Sequence, residues 1–330
     1  MILNRRTLVS SVPLLFAKTG AQAQPVNPHS EGWPARPVRF IVPAAAGSAG
    51  DDVCRLVAAK LGERFRQQFV VVNQPAAVGT LAVQDLARAT PDGYTIGQIS
   101  ESTNVIARLY NPSLPYDGVK DFALISLIGS SPYVLAVYPG LPVKNIEQLL
   151  SLAKTKPQPL NNAAFGTMSL GYLASKLFER NAGIRLNQIP YRSSAQAVLD
   201  VVAGRVDMQF STLPPAVPLI RAGKLRAIAT TGAQRFATLS EVPTLAESGF
   251  PGFDVTLWLG MAAPAGTTPG IIATLNSELI SLLSSEDMRA AMLRRSFVAE
   301  SCSPDVLAGR IKADLMAWRE IVANIAPARN

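Results

Sequence analysis

Ala45, Ala46, Gly47, Ser48 and Gly50, followed by Asp51, form a run suited to one kind of chemistry, the non-covalent capture of an anion. Residues with little or no side chain let a ligand approach the backbone, and the free N–H groups of a helix's first turn carry partial positive charge. A β-rich run at 38–42 meets Pro43, the small loop follows, and an acid stands where a helix begins. The order is strand, loop, helix N-terminus. It lacks both the G-x-G-x-x-G spacing of dinucleotide folds and the G-K-[ST] ending of a P-loop, which argues against a nucleotide. Asp51 reads as an N-cap that fixes the loop, with a direct ligand role open if the ligand carries a donor.

The same device recurs at 160–172. A strand at 160–165 ends in Phe165, then Gly166, Thr167, Met168 and Ser169 make a small, hydroxyl-bearing loop, and a helix with Tyr172 in its first turn runs to about 182. Gly47, Ser48, Gly50, Thr167 and Ser169 are the expected anion donors, Phe165 and Tyr172 the walls, and Ser194 and Ser211 lesser polar contacts. Catalysis has no evident operator. His29 is the sole histidine, Ser48 therefore has no base, and the adjacent Asp51 and Asp52 point in different directions. No metal set or cofactor motif exists. Cys54 and Cys302 are far apart in sequence and read as buried thiols in preference to a bridge.

Strands at 38–42, 69–72 and 94–99 alternate with helices, one after Asp51 and one ending near 89, which predicts a parallel sheet with crossover helices. The first helix places Val53, Leu56, Val57, Leu61 and Phe65 on one face. The run 122–138 is long for one strand and is interrupted by Gly129-Ser130-Ser131-Pro132, so it reads as two strands with a crossing point between domains. From 139 the alternation restarts, with helices capped at Asn145, starting at Ser194 and opened by Pro214 and Pro215, and strands at 186–190, 206–210 and 225–230. A return strand at 254–263, helices from Pro269, over 286–295 and from Ser303, and a strand at 297–300 are expected to rejoin the first domain. The expected division is 36–130 with 254–330 as one α/β domain and 131–253 as the other, each a mainly parallel sheet flanked by helices, joined by crossing strands.

The start of the chain puts Arg5 and Arg6 before an apolar run through Phe16, with Ala21-Gln22-Ala23 as a small-x-small site. Residues 1–24 read as an export signal cleaved near Ala23, by the general or the twin-arginine route, with 25–35 as a linker. The expected location is periplasmic. The net charge of +8 falls to +5 once Arg5, Arg6 and Lys18 are removed. The remaining basic residues are scattered and no run of them is interleaved with aromatics, against a nucleic-acid partner.

Across about 33–323 the chain resembles the substrate-binding proteins of tripartite tricarboxylate transporters, the Bug family. The resemblance is carried by Trp33-Pro34-Ala35-Arg36-Pro37-Val38-Arg39, Val42-Pro43 with Gly47 and Asp51, Asn73 and Pro75, and Pro91-Asp92-Gly93-Tyr94-Thr95. Leu114-Pro115-Tyr116-Asp117, Pro190-Tyr191, Gly204-Arg205-Val206-Asp207, Val242-Pro243-Thr244-Leu245-Ala246-Glu247 and Ala263-Pro264-Ala265-Gly266-Thr267 continue it. It implies a two-domain periplasmic binding protein of type II-like architecture. Its domains would close on a small organic carboxylate, held by backbone N–H groups of the loops at 44–51 and 163–171. A monomer would then pass the ligand to a membrane permease. The chain departs from the family where Ala44, Ala45 and Ala46 replace the usual middle of the first loop, Ala164 and Phe165 stand for small polar residues, and Ser211 stands where an acid is common. These departures favour a monocarboxylate or aromatic carboxylate over citrate or an amino acid. A periplasmic sensor subunit uses the same closure and is the alternative; an enzyme is the less supported one.

Overall fold

The computed structural model describes residues 32–166, 169–191 and 194–325. The proposed leader and most of the linker lie outside them. Strands β1 (Val38–Val42), β2 (Phe69–Asn73) and β3 (Thr95–Ser100) pair in parallel, with β1 between the other two. Helix α1 (Ala49–Phe65) connects β1 to β2 and buries Val53, Cys54, Val57, Ala58 and Leu61. Helix α2 (Thr80–Arg88) connects β2 to β3 and buries Ala82, Val83 and Leu86. After β3 the chain coils through a π-helical turn, Ser102–Ile106, into α3 (Ala107–Tyr110).

The run expected to be two strands is one, β4 (Phe122–Val137), 16 residues long. Its first part pairs with β9 (Thr256–Pro264) from Phe122 to Pro132, and its second part pairs from Tyr133 onward with β7 (Met208–Thr212) and, from Val134, with β8 (Arg226–Thr230). The Gly-Ser-Ser-Pro interruption bends the strand without ending it. Register shifts between Leu124 and Ser126 and between Leu127 and Gly129 absorb the bend, and Pro132, which has no N–H to give, falls where the strand exchanges partners.

The second sheet holds β5 (Leu160–Phe165), β6 (Leu186–Tyr191), β7 and β8, with helices α4 (Ile146–Thr155), α5 (Leu170–Ala182), α6 (Ser194–Val202) and α7 (Leu213–Arg221) between them. Helices α8 (Pro269–Ser284) and α9 (Glu286–Arg294) follow β9, and the short β10 (Val298–Ala299) pairs with Gly129 and Ser130 of β4. The terminal α10 (Pro304–Ile325) packs on β4, on α3 and on α5. Cys54 and Cys302 are free thiols.

Strand directions decide where the loops go. β9 runs against β3 and β4 runs against β9, so β1, β2 and β3 run with β4, toward the Pro132–Tyr133 switch. β7 and β8 run against β4, and β5 and β6 run with β7, so all four approach the same switch from the other side. The carboxyl ends of both sheets converge there, the usual place for a ligand in open α/β sheets.

Candidate functional site

The loop after β1 is built around one carboxylate. Asp51 is 2% exposed and accepts the Gly47 N–H at 2.8 Å, Asn73 Nδ2 at 2.8 Å and Arg55 Nε at 2.9 Å. Asn73, the last residue of β2, also donates to the Ala44 carbonyl at 3.0 Å, and Arg55 Nη2 donates to Asn73 Oδ1 at 2.7 Å. Burial raises the Asp51 pKa, but the hydrogen bonds from Arg55, Asn73 and Gly47 outweigh it and hold the carboxyl below its usual range.

The capping role expected of Asp51 belongs to Ser48, whose Oγ accepts the Asp51 N–H at 3.4 Å; Asp51 sits three residues further on and reaches back past the cap to Gly47. The Gly47 N–H is thereby spent on Asp51, and the Ser48 N–H on the Ala45 carbonyl at 3.1 Å. Neither is a free anion donor in this conformation. The donors that remain are the first N–H groups of α1, at Ala49 and Gly50, which have no intrahelical acceptor. Ala45 and Ala46 are exposed beside them. Gly47 adopts φ +77°, a left-handed geometry that suits glycine.

The second loop repeats this construction. Ser169 caps α5 by accepting the Tyr172 N–H at 3.2 Å, its own N–H bonds the Gly166 carbonyl at 3.1 Å, and Gly166 takes φ +68°. Thr167 and Met168 lie outside the described residues. Phe165 is half-buried and packs on the core, level with Tyr191 in the β5–β6 register. Gly171 must be glycine, because a Cβ there would lie 2.9 Å from the Phe210 carbonyl and from the Tyr133 ring. The Tyr133 ring thus lies against Gly171, tying α5 to the switch. Tyr172 lies near Tyr110 of α3; burial first, and Tyr172 second, push the Tyr110 phenol up to about 12.

Ser194 and Ser211 come together, with their hydroxyls 3.3 Å apart, and Gln209 Nε2 donates to Ser194 Oγ at 3.1 Å. Ser211 is fully buried, so only Ser194 can meet a ligand directly in this conformation. Reasoning from sequence passed over Arg55, although an arginine four residues after an acid on one helix is a readable pair. It also passed over Gln98, a buried amide between Gly97 and Ile99 of β3, and Glu101, which lies fully buried just beyond that strand. Among the described residues no group of three or more His, Cys, Asp or Glu is placed to hold a metal.

A family model described as the tripartite tricarboxylate transporter family receptor matches residues 53–325. The chain belongs to that family. Members are solute-binding receptors, not enzymes. The receptor is 32% identical to Protein BugT of Bordetella pertussis over 93% of its own length and 94% of BugT. Its fold is similar to that of Rpa4515 of R. palustris with adipate, at 31% identity and a TM-score of 0.82, covering 89% of this chain and 98% of that one. It is also similar to MatC of Rhodopseudomonas palustris with bound malate, at 30% identity and a TM-score of 0.76, covering 88% and 100%. The two-domain α/β architecture expected from the sequence is that of these binding proteins. No helix among the described residues is long and apolar enough to cross a membrane.

Proposed function

We propose that this receptor is a periplasmic protein that captures a small organic carboxylate between the α1 and α5 loops and delivers it to a membrane permease of the tripartite tricarboxylate type. The observation that carries the reading is the convergence of two capped helix N-termini, at Ser48 and Ser169, on the strand switch at Pro132 and Tyr133. Relatives bound to adipate and to malate support the ligand class. The chain acts as a monomer, exported after cleavage near Ala23, and residues 36–130 with 254–330 close on 131–253.

The ligand is a monocarboxylate or an aromatic carboxylate. Residues 43–50 and 166–169 contain no Lys or Arg, and Arg55 is committed to Asp51 and Asn73. A second carboxylate would thus lack a formal cation in either loop, while Ala164 and Phe165 offer apolar surface. Thermal-shift screening tests the choice. Stabilisation by benzoate-like acids, roughly 2.7 kcal/mol at about 100 times the dissociation constant, is expected. Stabilisation by citrate or aspartate alone would contradict it.

A further inference from the structure

Gln98 lies on β3 directly beneath the first turn of α1. It is 4% exposed, and a Cβ built on Gly50 would touch it at 3.6 Å from Oε1 and 4.0 Å from Nε2. Its Oε1 accepts the Cys54 thiol at 3.6 Å. Burial above all, and the charge of Asp51 second, push the Cys54 pKa far up, so the thiol stays protonated and keeps a proton to donate. With the thiol donating to Oε1, the amide Nε2 is left for another partner. Among the described residues its NH₂ group has no acceptor. The space above this amide is bounded by a glycine and by the unspent N–H groups of Ala49 and Gly50.

We infer that Gln98 is a ligand-binding and specificity-determining residue of this receptor: its Nε2 donates to the captured carboxylate alongside the backbone N–H groups of α1, and Gly50 is the window through which it does so. The inference rests on the carboxylate reading given above. An amide donor is neutral, so a carboxylate met by Gln98 and backbone N–H groups gains hydrogen bonds without a counter-charge. The same position occupied by an apolar side chain would leave the first turn of α1 to act alone. A Cβ at position 50 makes ordinary van der Waals contact with the amide, so alanine covers it without displacing it.

Adipate, malate and benzoate serve as probes in calorimetric titrations of the wild type and of Gln98→Leu, Gln98→Glu and Gly50→Ala. In parallel, 15N-labelled protein is titrated with the best probe, the Gln98 side-chain resonances being identified by their loss in Gln98→Leu. A hydrogen bond to a charged group predicts weakening of about tenfold to a hundredfold in Gln98→Leu. Gln98→Glu should weaken binding further, because it faces one carboxylate with another. Gly50→Ala should weaken binding while melting no lower than the wild type, since alanine suits the helix better. The Gln98 amide resonances should shift with saturation. Unmoved resonances at saturation, with unchanged affinity in Gln98→Leu, overturn the role of Gln98 and leave carboxylate capture standing. Absence of binding by the wild type to every probe overturns both.

Discussion

The Asp51 carboxylate accepts the Gly47 N–H at 2.8 Å and thereby ties the tip of the first loop to the helix that the loop opens. One hydrogen bond removes a donor that the sequence offers to the ligand and in return holds the next two, at Ala49 and Gly50, in a fixed frame. Asn73 and Arg55 complete the frame from β2 and from the second turn of α1.

Asp51→Ala should therefore cost both stability and binding. Arg55 is half-exposed and water screens its ion pair, so most of the loss comes from the Gly47 and Asn73 bonds, about 2 kcal/mol by urea denaturation. Because the folded pKa lies below the ordinary 3.8, this contribution is complete above that value and is lost as pH falls through the folded pKa. A wild-type-minus-variant difference in unfolding free energy that is flat near neutrality and shrinks only in acid is the expected result.

Glu101 should act in the opposite sense. Its carboxylate is buried where β3 ends, accepting the Trp258 N–H at 3.0 Å and the Ser102 hydroxyl at 3.0 Å, while Asp314 bonds the Trp258 indole at 2.7 Å. Burial pushes its pKa up to about 7, with the Asp314 charge adding to the rise and the hydrogen bonds opposing it. The native state then holds a proton that the unfolded chain releases near 4.5, so stability falls as pH rises from about 4.5 to about 7. Glu101→Gln should remove that slope. Melting curves should show the variant gaining on the wild type toward pH 7.5, with the gap closing near pH 5.

Gly47→Val should nearly abolish ligand binding while the fold persists. Nothing lies within 4 Å of a Cβ at this position, so the penalty comes from φ +77°, which a β-branched residue rarely adopts. Circular dichroism should match the wild type and calorimetry should show binding lost. Unchanged affinity would remove this loop from the site.

Affinity should respond little to salt. The loop at 43–50 and Gln98 supply no formal cation, so at these proposed contacts the electrolyte has no positive side chain to screen. Titration at low and at high sodium chloride should give dissociation constants within about threefold, in contrast to the steep loss expected of an exposed lysine or arginine site.

The two loops were legible because their chemistry is local. Small residues after a strand and before a helix announce a close backbone approach, and the structure places Ser48 and Ser169 as matching caps. Which N–H groups stay free was not legible, because Asp51 reaches back four residues to Gly47, a choice made by the tertiary clamp of Asn73 and Arg55. The long β4 was misjudged for a related reason. Gly129 and Pro132 carry the signature of a strand end, but here they bend a strand whose partners change along its length. The π-helical turn at Ser102–Ile106 was passed over because Ser, Thr and Asn are poor helix formers, and its stability comes from buried side-chain bonds such as Thr103 to Asn104 at 2.9 Å.

Calorimetry with an acid and its methyl ester tests carboxylate capture most directly. For benzoate against methyl benzoate, and adipate against its dimethyl ester, at least one free acid should bind and its ester should not, because the ester keeps the apolar body and lacks the anion. An ester that binds as tightly as its acid would contradict an anion site at these helix N-termini.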